Sequence, residues 1–383
     1  MRAQTIQLGE LVTIAGGGTP SRDRPEYYDG DIPWITVKDL VDGFFIRSSQ
    51  ERISRLGLES SAARLIPAGN VILGTRMSVG KAAINLIDVA INQDLKALFC
   101  CPKLDPCYLT FFFAAIAPRL QAQASGATVK GITIDDIEAL EIPLHSLSEQ
   151  QRIAGILEQA VRLRRTRRYA LELSNTFLPA AFLELFGDRF DQGPFDRFGN
   201  LVRITGGGTP SRDCPEYFQG HIPWLTSKDM RGDYIWDTEE HITEDAIKDS
   251  ATHLVPANSI LIVVKSKVLM HRLPVAIARV PMCHGQDIKS IQCSKSLHQE
   301  FARFVLKSHE PRLLNIARGA NTEGLTLPML EELPVPKVEF SEQQNFASIV
   351  ESHERLRAVQ REALRQAEHL FQSLLHRAFT TGL

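Results

Sequence analysis

Almost the same stretch of sequence is used twice in this 383-residue chain. It runs GGGTPSRDRPEYYDGDIPWITVKDL from Gly16 to Leu40 and returns as GGGTPSRDCPEYFQGHIPWLTSKDM from Gly206 to Met230. Chance does not give that many identities in order. The chain therefore holds one structural plan in two copies, and its function is to be read from the repeat first. The length implies two or three domains, each large enough to bury a core.

Each copy reads as α+β. In the first, Asp31–Val37, Val71–Leu73, Ala82–Ile87 and Ala97–Cys101 carry strand signals. Tyr108–Leu120 has a helical apolar face, and Leu140–Pro143 is a short edge strand. The triple glycine and Thr19-Pro20-Ser21 mark a turn or cap. The second copy echoes the order: Gln286-Asp287-Ile288-Lys289 matches Gln93-Asp94-Leu95-Lys96, and Arg318-Gly319-Ala320 matches Ser125-Gly126-Ala127.

After each copy the texture changes. Ser148–Phe186 is nearly free of glycine, and Ser148 with Gln151 has the spacing of a capping box. Apolar residues at Ile153, Ile156, Ala160, Leu163, Ala170, Phe177 and Ala181 alternate by three and four, the pattern of a coiled-coil seam. Ser341-Glu342-Gln343-Gln344 repeats Ser148-Glu149-Gln150-Gln151. The matching seam is Phe346, Ile349, His353, Leu356, Ala363, Leu370 and Leu374, with Arg167 and Gln360 in one shared polar layer. Pro179 should end or kink the first helix, and Gly187–Gly199 reads as a linker. The expected division is thus 1–146, a first globular domain; 147–187, a helix; 188–338, a second domain; and 339–383, a second helix. Each helix, of about 38 residues, is about 57 Å long. Neither buries its seam alone, so the repeat predicts antiparallel pairing about a pseudo-twofold axis.

Composition narrows the classes. The net charge of −2 and pI near 6.6 leave no bulk basic footprint, so nucleic-acid binding has to be local. No run is long and apolar enough for a signal peptide or membrane span, which points to a cytoplasmic protein and no membrane partner. The six cysteines form no CxxC pair and read as reduced thiols. Cys283, His284 and Cys293 lack a fourth zinc ligand, so no metal is expected.

The GGGTPS…Y…IPW…KD opening, the QDLK-like segment, the proline-rich edge followed by SEQQ, and the closing SLLHRAF (Ser373–Phe379) resemble the specificity subunit of type I restriction-modification systems. The resemblance covers nearly the whole chain and occurs in both halves. It implies two target recognition domains, each reading half of a bipartite, asymmetric site in double-stranded DNA. It also implies that the helices space the half-sites and dock methyltransferase subunits, two in number, with restriction subunits joining that core. On this reading the chain is not an enzyme and binds no cofactor. S-adenosylmethionine, ATP and Mg would sit on the partners.

Phosphate contacts position a protein and base contacts specify sequence. The shared opening cannot itself distinguish two half-sites. Thr19, Ser21, Arg22 and Lys38, with Thr209, Ser211, Arg212 and Lys228, are accordingly candidates for scaffold or DNA-backbone contact. Specificity belongs where the copies diverge: Val41–Leu65 against Arg231–Leu254, and Gly74–Lys81 against Val264–Arg272. Arg76, Lys81, Lys265, Lys267 and Arg272 lie in the latter, as groups suited to guanine edges or phosphate. Lys130 is a candidate in the loop 125–131, with Arg318 and Asn321 in its counterpart. Gln93 and Gln286 have the chemistry to read adenine, but their recurrence favours a structural hydrogen bond. Arg162, Arg164, Arg165, Arg167 and Arg168 make a basic run on the first helix, either a partner or DNA contact or a solvated face.

No catalytic residues are expected. GGGTPSR lacks the Gly-Lys-Ser/Thr of a P-loop. There is no Asn-Pro-Pro-Tyr-type methyltransferase motif, no HExxH and no GxSxG. The rival from another class is a coiled-coil scaffold whose two heads bind proteins rather than DNA.

Overall fold

The computed structural model describes residues 4–40, 44–125, 131–319, 324–380 and 382–383. The chain forms two compact units. One is Met1–Ala170 with Gln360–Leu383, and the other is Leu171–Val359.

In unit 1 a five-stranded sheet has the order Val12–Gly16, Leu95–Cys100, Val71–Gly74, Ala82–Asn85, Phe45–Ile46. Its central strand, Val71–Gly74, is buried throughout. Side chains alternate across a strand, so such a strand is covered on both faces. Val71 and Leu73 enter one core with the helix Pro106–Ser125, while Ile72 enters another with Ile35, Ile91 and Ala97. A second sheet orders Glu51–Ile53, Ile32–Ile35, Val89–Ile91, Leu65–Ile66, and Gln4–Gln7 pairs with Glu141–Leu144.

Unit 2 repeats this plan. Its five-stranded sheet orders Val202–Gly206, Ile288–Cys293, Ile260–Val263, Val275–Ala278, Tyr234–Ile235, and Phe195–Arg197 pairs with Pro334–Pro336. Ile260 and Ile262 face one core while Leu261 and Val263 face the other. The expected α+β class with an internal repeat is what forms.

Two long helices, Leu147–Gln192 and Phe340–Thr380, each contribute part of their length to both units. Within unit 1, Arg168 faces Glu368 at 3.4 Å and Arg152 donates to the Leu383 carbonyl at 3.0 Å. Within unit 2, Asn175 accepts from Arg357 at 2.6 Å and Arg189 meets Glu342 at 2.7 Å. As one number rises the other falls, so the helices run antiparallel in each unit.

Three expectations about these helices are corrected. The first helix runs through Pro179 and ends at Gln192, so part of the expected linker is helical. Its N-terminal cap is Ser146, whose carbonyl accepts from Glu149 and Gln150 at 2.9 Å, and not Ser148. The predicted seam holds at Ile153, Ala160, Phe346 and His353, which are buried, but elsewhere the buried stripe is rotated by about one residue from it. Leu157, Leu178, Phe182 and Phe186 are buried, whereas Leu163, Phe177, Leu356 and Leu370 are exposed. The predicted seam assumed a two-helix contact. The real stripe must also face the globular core, and that wider apolar face shifts its centre.

The glutamines of the repeated SEQQ take a role that the repeat alone did not show. Gln150 is fully buried. Its carbonyl accepts from the Asp105 amide at 2.9 Å, and its amide donates to the carbonyls of Lys103 and His145, both at 2.9 Å. Gln343 does the same with the His298 amide at 2.8 Å and the carbonyls of Ser296 and Val338 at 3.1 and 2.9 Å. The motif is a staple between helix and head, used identically in both units.

Candidate nucleic-acid interface

The repeated opening is held by close backbone approach. A Cβ on Gly18 would lie 2.5 Å from the Ala63 amide nitrogen, and one on Gly208 would collide with that of Thr252. Only glycine lets these segments touch. Trp34 then donates its indole N–H to the Gly18 carbonyl at 3.1 Å, and Trp224 to Gly208 at 3.1 Å.

Arg22 and Arg212 complete this frame. The Arg22 guanidinium lies 4.3 Å from the Tyr28 ring centre and 5.3 Å from that of Trp34, and pairs with Glu51 at 2.7 Å. Arg212 lies 4.1 Å from Phe218 and 5.2 Å from Trp224, with a forked pair to Glu240 at 2.5 and 2.8 Å. That pairing holds the Glu240 carboxyl below its ordinary value. Stacking and ion pairing tie both arginines into the frame of their own unit. Ser21 and Ser211 cap their own turns, accepting from Asp23 at 3.4 Å and Asp213 at 3.3 Å. Lys38 and Lys228 are exposed beside the turns that Thr36 with Asp39, and Thr226 with Asp229, hold in shape.

Thr19, Gln93, Lys96 and Arg76 are drawn together in unit 1. Thr19 donates its hydroxyl to the Gln93 side-chain carbonyl. Lys96 donates to the Gln93 backbone carbonyl at 3.3 Å and passes over Gly16. Burial, and then the nearby Arg76 guanidinium, lower the Lys96 ammonium from its ordinary value, opposed by Asp94. Unit 2 places Lys289 over Gly206, and Thr209 and Gln286 are exposed. The sequence reading passed over Lys96 and Lys289, although their recurrence in QDLK and QDIK was the available signal.

The diverging loops stand next to this constellation. In unit 1 the amides of Thr75 and Arg76 donate to the Asp94 carbonyl at 2.9 and 3.4 Å. In unit 2 those of Val264 and Lys265 donate to Asp287 at 2.9 and 3.3 Å. Arg76 and Lys265 are thus equivalent, and both are exposed. The loop of unit 2 is longer and brings Lys267, exposed, and Arg272, whose guanidinium donates to the Met230 carbonyl at 2.7 Å. Lys81 lies apart, in a cleft with Arg164 and Phe371. Lys130 and Asn321 lie outside the described residues, and Arg318 belongs to the helix Glu310–Gly319. Among the described residues no three His, Cys, Asp or Glu side chains converge to hold a metal.

Comparison with known proteins adds the following. The family model described as the type I restriction modification DNA specificity domain matches residues 2–173 and again 195–369. The specificity subunit of the type I restriction enzyme EcoR124I/EcoR124II of Escherichia coli is 29% identical over 56% of this chain and 54% of its own. The MjaIX specificity subunit of Methanocaldococcus jannaschii is 26% identical over 67% of this chain and 64% of its own. These matches therefore span between half and two thirds of the relatives' lengths. Among solved structures, the type I S subunit from M. genitalium superposes with a TM-score of 0.60 at 15% identity, covering 98% of this chain and 96% of that one. A chain from a structure concerning complex assembly of the type I R-M system gives 0.63 at 18% identity, covering 100% and 98%. At such identities the structural likeness concerns the fold.

Proposed function

Because this chain belongs to the family of type I restriction-modification DNA specificity domains, we propose that it reads a bipartite, asymmetric DNA site, one half through each unit. The observation that carries this reading is one frame displaying two unlike basic loops. Gly16–Leu40 and Gly206–Met230 build the same scaffold, while Gly74–Lys81 and Val264–Arg272 differ in length and in charge placement. A shared scaffold with divergent loops suits two half-sites of different sequence. The exposed cations Arg76, Lys265 and Lys267, with the half-buried Lys96 and Lys289, supply base-edge or phosphate contacts in a chain with no bulk positive charge.

The long helices then act as the spacer between half-sites and as the docking surface for two methyltransferase subunits, through which restriction subunits join. S-adenosylmethionine, ATP and Mg belong to those partners, and the chain itself performs recognition without catalysis. No helix among the described residues is long and apolar enough to cross a membrane, in keeping with work on cytoplasmic DNA.

Methylome sequencing tests the proposal. Cells expressing the chain with its methyltransferase subunit should show a split motif of methylated adenines that vanishes when only this chain is omitted. Exchanging Gly16–Leu144 for another recognition domain should alter one half of the motif. An active methyltransferase whose pattern ignores the chain would overturn the reading in favour of a protein-binding scaffold.

A further inference from the structure

The loop Gly74–Lys81 holds one residue that neither charge nor packing explains. Met77 is 88% exposed. Its φ is +58°, in the left-handed region where a side chain costs stability that glycine would not. The loop does not wander into this shape. Thr75 is tied by its amide and hydroxyl to the Asp94 carbonyl at 2.9 and 3.0 Å, and its own carbonyl accepts from Ile132 at 3.0 Å. Gly80 donates to the Gly74 carbonyl at 3.0 Å, and Lys81 to Ser78 at 3.0 Å. Val79, two residues on, is buried, and its carbonyl accepts from Gln121 at 3.2 Å. Every neighbour is anchored, and the apolar side chain at the tip is the part left in solvent. It follows directly on Arg76, whose charge reaches Lys96. The equivalent loop of unit 2 also exposes a methionine, Met270, at 55%.

We infer that Met77 is a base-contacting residue of the first half-site, an apolar tip carried to the base edges or between base faces by a rigid loop whose cations hold the phosphates. The inference rests on the DNA-reading function proposed above. A strained, exposed apolar side chain on a fixed loop gains nothing in the free protein. Against DNA it gains the burial of an unbranched, polarisable chain that suits the thymine methyl or an opened base step.

The test uses the full chain assembled with its methyltransferase subunits, on duplexes carrying the motif found by methylome sequencing. M77G and M77N remove the apolar tip and tolerate the left-handed backbone. Both should keep or raise the thermal midpoint, because strain is relieved. Both should weaken cognate binding by about tenfold, the size expected for losing one buried apolar side chain, and relax the first half of the motif only. M77L should retain most of the affinity. The slope of log affinity against log salt should be unchanged in all three, whereas R76A should lower it by about one. Wild-type affinity and motif in M77N would overturn the inference while leaving the DNA-reading function standing. A changed salt slope in M77N would also overturn it, because the loss would then be electrostatic. A wild-type complex with no split motif would sink the underlying function, and the role of Met77 with it.

Discussion

The glutamine staple gives a quantitative prediction. Gln150→Ala removes three hydrogen bonds and leaves the Asp105 amide and the Lys103 and His145 carbonyls unpaired in a site where the side chain is fully buried. At about 1 kcal/mol net for each bond, the loss is about 3 kcal/mol, before any cavity is counted. For a unit of this size each kcal/mol moves the midpoint by about 2–4 °C, so unit 1 should melt roughly 6–12 °C lower. Differential scanning calorimetry measures the shift, and hydrogen exchange at the Asp105 amide assigns it to unit 1. Gln150→Met keeps the volume but not the bonds, and should lose as much. Gln150→Glu keeps the acceptor for Asp105 but sets a carboxylate against two carbonyls, so it should be worse at neutral pH and partly recover in acid. Gln343→Ala should do to the His298 amide what Gln150→Ala does to Asp105. A midpoint shift below about 2 °C in Gln150→Ala, with Asp105 still protected, would refute the staple.

Two further predictions concern unit 2. Burial lowers His284 to about 4. Its folded-state value therefore lies below the unfolded one, and the neutral ring favours the fold. That contribution, about 3 kcal/mol, is complete above pH 6.5 and is lost as pH falls towards 4. Ile91 occupies the matching strand position in unit 1, so H284I should flatten the acid limb of unit 2 in a pH series of melts. Arg212→Ala breaks a half-exposed ion pair and a stacking contact, and should cost about 1 kcal/mol. It should lower the midpoint by a few degrees without changing the methylated motif, and Arg212→Lys should recover little, since lysine neither forks nor stacks. A changed motif in Arg212→Ala would show that this arginine reads bases.

The duplicated opening, the long helices and the α+β class were legible because each leaves a periodic or repeated trace. What escaped depended on contacts distant in sequence. SEQQ looks like a local cap, and only the fold shows Gln150 meeting Lys103 and Asp105. Part of the seam, at Leu163, Phe177, Leu356 and Leu370, was read one residue off because two surfaces, not one, set the helix's buried face. Arg22 and Arg212 look like free cations until Glu51 and Glu240 are brought beside them. The core of the second unit holds a similar case. Arg303 is buried and pairs with Glu300 at 3.1 Å and Asp233 at 3.3 Å. By the register of the two staples, its counterpart in unit 1 is Thr110, so one layer is ionic in one copy and not in the other. Among the site residues, the frame was visible as identity and the basic loops as divergence. Met77 was invisible, because exposure and backbone hand are not written in residue type.

The division of the long helices has a consequence for how the protein is made. Phe371, Leu375 and Ala378 belong to the same core as Tyr108 and Ile153. The head that leaves the ribosome first thus lacks part of its interior until the final turns of the chain appear. The last segment begins at Gln360, 360 − 170 = 190 residues after Ala170, and at about 5–20 residues per second the wait lasts about 10–40 s. Unit 2, contained within Leu171–Val359, is complete before it. The nascent chain therefore finishes its second recognition head while the first still presents an open apolar face. Loss of Gln360–Leu383 damages the unit built from Met1–Ala170, far away in sequence.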